Sequence, residues 1–258
     1  MSALLSVENV SCRMGEKSLL ENASLAVGAG DFVGLIGPNG AGKSTLLRIA
    51  ANLQKPSTGR VLLGGTLTNS LSPAERARRL SYLPQAREIA WTLTAREIVA
   101  LGRFAWGAPL RENAEDAAAV ARAMDETGAD AFADRLAHTL SGGELARVHL
   151  ARLLASETPI IIADEPVSAL DPAHQFSVMK LLRAKAEEGR TVIAALHELP
   201  LAARFCTRIV ALHKGEVAAD GKPADVLHDD LMREIFGVRA GIQNTGGEMR
   251  VHLDPLTD

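Results

Sequence analysis

The chain has 258 residues, 47% of them apolar, which suffices for a full α/β core and rules out a disordered chain. Its net charge is −3 and no Lys/Arg block is sustained, so no nucleic-acid partner is expected. Two distant cysteines, Cys12 and Cys206, and seven scattered histidines argue against a zinc knuckle or redox pair and predict buried thiols in a reducing cytosol.

The first residues lack a basic segment followed by an apolar stretch, so no export signal is expected. No window reaches about eighteen uninterrupted apolar residues, so work at a membrane would require docking through another chain. Strands are predicted at 4–10, 19–27, 32–36 and 60–63, together forming a mixed sheet. Between the third of these and a helix carrying Leu46, Leu47, Ile49 and Ala50 runs GPNGAGKST, residues 37–45. It has the strand–loop–helix setting and spacing of a phosphate loop. The backbone of Gly37, Pro38, Asn39, Gly40, Ala41, Gly42 and Thr45 would surround a polyphosphate. Lys43 would neutralise its outer phosphates and Ser44 would ligate Mg²⁺. These residues point to ATP as the ligand.

Ser72 with Glu75, Thr94 with Glu97, and Ser141 with Glu144 each match a capping box, so a helix should begin at each. From about 86 to 155 the pattern is almost wholly helical, densest over 114–127, and reads as a helical lobe inserted into the sheet domain. Strand 160–164, helix 172–188, strand 191–196, helix 199–205 and strand 208–212 then alternate, the pattern of parallel strands with covering helices. The segment 241–247 is the one loose connection expected, ahead of a short tail.

Asp164 and Glu165 end an uncharged strand at the edge where open α/β sheets bind ligands. Successive strand side chains point opposite ways, so Asp164 is assigned to the Mg²⁺ shell and Glu165 to the attacking water. The string LSGGE at 140–144 is in part an ordinary helix start, with Ser141 as cap and Glu144 completing the box. Gly142 and Gly143 in that first turn cost helix stability, which points to a phosphate lying against bare backbone. With one face of the triphosphate already enclosed by the first loop, the economical arrangement is a head-to-tail pair sharing two ATPs. His197 follows another apolar strand to the same edge and could contact the γ-phosphate; Gln85 precedes the helical lobe. Asp171 before Pro172 reads as a helix cap, a role compatible with a contact across a dimer.

With these strings in view, the sequence from about residue 4 to 227 resembles the ATP-binding-cassette ATPases. The resemblance makes 37–45 the Walker A loop, Gln85 a lever to the metal, and 140–144 the signature. It makes 160–165 the Walker B strand with Glu165 catalytic, 168–171 a dimer-contacting loop, and His197 the switch histidine. It implies an α/β, P-loop NTPase-type fold with a mostly parallel sheet, an antiparallel β region and an inserted helical subdomain. Residues 1–237 would form the nucleotide-binding domain, 86–155 its helical subdomain and 238–258 a tail.

Finer strings at 77–85, 92–103, 168–175, 195–205 and 215–227 look like the importers of iron–siderophores, haem and cobalamin. The implied protein is a homodimer of cassettes that hydrolyses ATP with Mg²⁺ on the cytoplasmic face of a bacterial inner membrane. It would drive integral membrane permease subunits fed by a periplasmic or surface substrate-binding protein. A cassette ATPase for another cargo, or a soluble one without a transport role, is the alternative. The chain departs from the family pattern in three respects: Leu145 replaces a frequent Gln, Glu198 a frequent Asp, and Cys12, Arg13 and Met14 occupy the place of an adenine-stacking aromatic. Arg13 and Met14 are the candidate adenine contacts.

Overall fold

The structure, a computed structural model, describes residues 3–85, 92–107, 113–168, 170–245 and 248–255. β1 (Leu5–Met14) and β2 (Lys17–Val27) form an antiparallel hairpin with one face buried through Leu5, Val7, Val10, Leu20, Leu25 and Val27. The alternation slips where Asn9 adopts φ 49°, at a register shift that returns Val10 and Cys12 to the inner face. β3 (Phe32–Ile36) is buried at every position and leads through the phosphate loop into α1 (Lys43–Ala50). β4 (Thr58–Leu63) and β5 (Thr66–Leu67) complete a four-stranded antiparallel sheet in the order β2-β1-β4-β5.

This corrects the expectation of one mixed sheet over residues 4–63, because β3 leaves its neighbours for a second sheet. The reason is the pattern of apolar residues. β1 and β2 alternate and can cover only one face, whereas β3 is apolar on both sides and belongs in the centre of a sandwiched sheet.

α2 (Pro73–Ala77), β6 (Leu80–Leu83), α3 (Ala95–Ala100), α4 (Ala114–Thr127) and α5 (Gly142–Ala155) follow. The capping boxes expected at the starts of α2, α3 and α5 are all formed, and Asn113 caps α4. α3, α4 and α5 pack on one another, and the buried Arg103 ties the lobe together by pairing with Asp116 at 2.6 Å and Glu157 at 3.0 Å. Part of the stretch from 86 onward (86–91 and 108–112) lies outside the described residues.

The alternating half of the chain supplies β7 (Ile160–Asp164), α6 (Pro172–Glu187), β8 (Thr191–Ala195), α7 (Leu199–Phe205), β9 (Arg208–His213) and β10 (Glu216–Gly221). The second sheet runs β10-β9-β3-β8-β7-β6, parallel throughout except for β10 at its edge. Alternate residues of each central strand enter opposite cores. Ile161, Ala163, Val192 and Ala194 join the helical side; Ile160, Ile162, Ile193 and Ala195 face α1 and the antiparallel sheet. Asp164 pairs with Ala195 and Leu35 also pairs with Ala195, so β3, β7 and β8 end side by side at one edge.

α8 (Pro223–Val226) and α9 (Asp229–Phe236) lead to a hairpin of β11 (Val238–Thr245) and β12 (Glu248–Pro255), packed on α7 and α9. The expected loose connection at 241–247 is therefore largely strand, with Gly241 in register with His252. The pairing partner is the strand that follows next in the chain, and a short segment of this kind reads as a loop until its partner is seen. Cys12 and Cys206 are buried free thiols. No helix among the described residues is long and apolar enough to cross a membrane.

Candidate functional site

The phosphate loop leaves the sheet at the carboxyl end of β3. Gly37 has φ 149°, and a β-carbon there would lie 2.3 Å from the Leu212 carbonyl oxygen, so only glycine lets the chain pass. Gly42, with φ 104°, caps α1 without any side chain, which leaves the helix start open to an anion. Lys43 is 6% exposed, and its ammonium donates to the carbonyls of Gly37 at 2.7 Å and Pro38 at 3.1 Å. Burial holds its pKa below the ordinary lysine value, and the negative charges of Glu165 and Asp164 partly offset this. A cavity of about 350 Å³ opens over the loop, lined by Asn39, Gly40, Ala41, Gly42, Lys43, Ser44 and Thr45 with Lys17, Leu19, Gln85 and Glu165.

Asp164 is fully buried at the end of β7. Ser44 Oγ donates to its Oδ1 at 3.0 Å and the Tyr82 hydroxyl to its Oδ2 at 3.3 Å. Burial raises its pKa against the opposing pull of these two donors and of Arg48. The Tyr82 hydroxyl is itself pushed up to about 12, first by burial and then by the charge of Asp164.

Glu165 separates from Asp164 by a device other than strand alternation. The strand stops at Asp164, and Glu165 takes a left-handed φ of 52° that turns it toward the loop cavity. Its Oε2 accepts from Gln85 Nε2 at 2.8 Å, and its Oε1 pairs with His197 Nε2 at 2.6 Å. The structure thus brings Lys43, Ser44, Gln85, Asp164, Glu165 and His197 into one cluster from four separate stretches of chain.

The remaining candidates lie elsewhere. Ser141 caps α5 by accepting from the Glu144 amide at 3.3 Å, while Glu144 accepts from the Ser141 amide at 2.8 Å and from Arg135 at 2.9 Å. The Ser141 amide and then its hydroxyl lower the Glu144 pKa. A β-carbon on Gly142 would meet nothing within 4 Å, and one on Gly143 only Leu170 Cδ2 at 4.0 Å. None of 141–144 lines the loop cavity. Asp171 caps α6, accepting from the His174 amide at 3.0 Å and pairing with its ring at 2.7 Å, and it too stays outside the cavity.

Arg13 and Met14 close the β1–β2 hairpin, where the Arg13 amide donates to Ser57 Oγ at 3.3 Å and Met14 is exposed. The cavity wall on that side is instead Lys17, the cross-strand partner of Met14, with Leu19. Sequence reading missed Lys17, Leu19 and the Tyr82 contact. The signal for the first two was the turn at Gly15, which folds β2 back beside the loop.

A family profile described as "ABC transporter" matches residues 20–168. The chain belongs to the ABC transporter family. Among the relatives of this ABC ATPase is the hemin import ATP-binding protein HmuV of Rhodococcus jostii, 43% identical over 90% of this chain and 80% of that protein. The cobalamin import ATP-binding protein BtuD of Halobacterium salinarum is 38% identical over 98% of this chain and 64% of that protein. Among solved structures, the bacterial ABC transporter cassette MJ0796, solved as a dimer, superposes with a TM-score of 0.77 at 33% identity, covering 85% of this chain and 98% of that one. The P-loop NTPase fold and ATP hydrolysis as the activity follow from this membership.

Proposed function

We propose that this ABC ATPase is the motor subunit of an importer for haem, cobalamin or an iron–siderophore, working as a homodimer that encloses ATP between its protomers. One observation carries the dimer. The 141–144 segment offers bare backbone at a helix start where, among the described residues, a β-carbon on Gly142 would meet nothing within 4 Å and one on Gly143 only Leu170 at 4.0 Å, and it does not line the chain's own ATP cavity. Glycine in a helix interior costs up to about 1 kcal/mol relative to alanine, so two of them here are explained by a phosphate that arrives with a second protomer. The dimeric MJ0796 cassette supports the same arrangement.

In this reading the backbone of 37–45 cradles the phosphates and Lys43 neutralises them. Glu165 takes the proton of the attacking water, and Gln85 and His197 help fix where its oxygens point. Ser141, Gly142, Gly143, Glu144 and Asp171 act on the nucleotide held by the other protomer. Adenine lies toward Lys17 and Leu19, with Met14 and Arg13 next along the same hairpin edge. Ser44 and Asp164 present two hard oxygens 3.0 Å apart, and burial disfavours the uncompensated carboxylate, so the pair with Gln85 fits Mg²⁺. Bound there, the ion would supply charge neutralisation at the phosphates.

Residues 1–237 are the nucleotide-binding domain, 86–155 its helical subdomain, and 238–258 an appended tail. The working complex pairs the dimer with integral membrane permease subunits and a periplasmic or surface substrate-binding protein, at the cytoplasmic face of a bacterial inner membrane. The names of the hemin and cobalamin import relatives support the cargo class. Deleting the gene and supplying haem, a ferric siderophore or cobalamin as the sole source tests it. Growth should fail on one of them and return on complementation; undiminished growth on all three would contradict the cargo.

A further inference from the structure

Arg135 belongs to none of the sequence motifs, yet it holds the acid of the signature. Its Nη1 donates to Glu144 Oε1 at 2.9 Å and its Nη2 to the Thr139 carbonyl at 2.7 Å, while Glu144 Oε2 accepts from the Ser141 amide at 2.8 Å. Both partners are anchored before they meet. The Arg135 carbonyl accepts from the Ala95 amide at 2.9 Å at the start of α3, and Glu144 is fixed by its capping box, so the planar guanidinium spans the turn from 139 to 144 with little freedom left to lose. The other two capping boxes provide a comparison within the molecule. Glu75 of α2 and Glu97 of α3 hold the same helix position as Glu144, and among the described residues neither is paired with an arginine.

A box therefore closes without a guanidinium. The Arg135 side chain is 47% exposed, and an ion pair so open to water adds little to stability, so the pair answers a need particular to α5. That need is electrostatic. A helix start favours an anion, but at α5 the Glu144 carboxylate already occupies the positive end, and a carboxylate repels a phosphate. We propose that Arg135 is a positioning residue for the ATP reaction: its charge cancels that of Glu144, so that the bare backbone of Gly142 and Gly143 can receive a phosphate of the nucleotide held by the other protomer. The inference rests on the shared site proposed above and gives a role in it to a residue of the preceding turn.

The test is steady-state ATP hydrolysis by the full chain with Mg²⁺, each variant compared with wild type at the same salt. At about 50 mM salt Arg135→Gln should lower turnover roughly tenfold, and at about 500 mM the loss should shrink to roughly threefold or less, because ions screen an exposed carboxylate. Adding Glu144→Gln to Arg135→Gln removes the unpaired charge and keeps an acceptor for the Ser141 amide, so the double variant should recover to within roughly threefold of wild type. A residue that merely braced the turn would give neither the salt dependence nor the recovery. If Arg135→Gln does not fold, Arg135→Met keeps the apolar stem without the charge and carries the same comparison. Gly143→Asp, which probes the signature directly, separates the two levels of failure. With that variant impaired, wild-type turnover in Arg135→Gln, a loss indifferent to salt, or a double variant no better than the single would each overturn the role of Arg135 alone. Wild-type turnover in Gly143→Asp would remove the shared site, and this proposal with it.

Discussion

At the scale of single residues, the ATP site is built from charges held where they are uncomfortable without substrate. Lys43 is buried against two backbone carbonyls rather than a carboxylate, so its charge stays available for a phosphate. Lys43→Ala removes a charge-assisted contact worth about 1.5–3 kcal/mol, so ATP affinity measured by calorimetry should fall roughly ten- to hundredfold with the fold retained. Asp164 is the opposite case. Its pKa is raised by burial, so its protonated form favours the folded state. That contribution is complete at acid pH, below the ordinary carboxylate value, and is lost as pH rises through the raised one. Asp164→Asn should therefore raise the Tm of the nucleotide-free protein at neutral pH, by an increment that shrinks toward acid pH, while abolishing turnover. An Asn variant that melts lower than wild type at neutral pH would contradict the burial argument.

At the scale of elements, two helix starts use the same physics for different ends. α1 begins at Gly42 with no side-chain cap and faces its own loop cavity. α5 begins with a full capping box and faces away. Because a β-carbon at 143 would meet, among the described residues, only Leu170 at 4.0 Å, Gly143→Asp should leave monomer stability within about 0.5 kcal/mol. An added carboxylate opposite a phosphate should nonetheless lower ATP turnover by about 10²-fold. Thermal melting and steady-state hydrolysis on the same preparation separate the two effects; equal turnover would place the signature outside the reaction.

At the scale of the whole molecule, the proposed function makes hydrolysis depend on two copies meeting. Glu165→Gln keeps the phosphate loop and the Gln85 side of the site but removes the proposed base, so turnover should fall by ~10²–10³-fold or more. ATP binding should persist, and the loaded dimer should accumulate. Size-exclusion chromatography with ATP and Mg²⁺ checks this: a species of twice the monomer mass is expected, and a monomer alone would count against the shared site.

Sequence determined whatever depends on neighbours along the chain. The capping boxes of α2, α3 and α5, the bounds of α4, the loop at 37–45 and the carboxylates ending β7 are short-range patterns of charge, glycine and apolar period, and all were present in the order of residues. Tertiary structure decided whatever depends on which strands pair. It removed β3 from the antiparallel sheet, paired Gly241 with His252, and set Lys17 and Leu19 rather than Arg13 and Met14 beside the phosphate loop. It also turned Glu165 away from Asp164 by a left-handed residue and gave it Gln85 and His197, 80 and 32 positions distant, as partners. The physical reason is that a local pattern specifies which face of an element is apolar. Which face another element will cover depends on burying the whole chain at once.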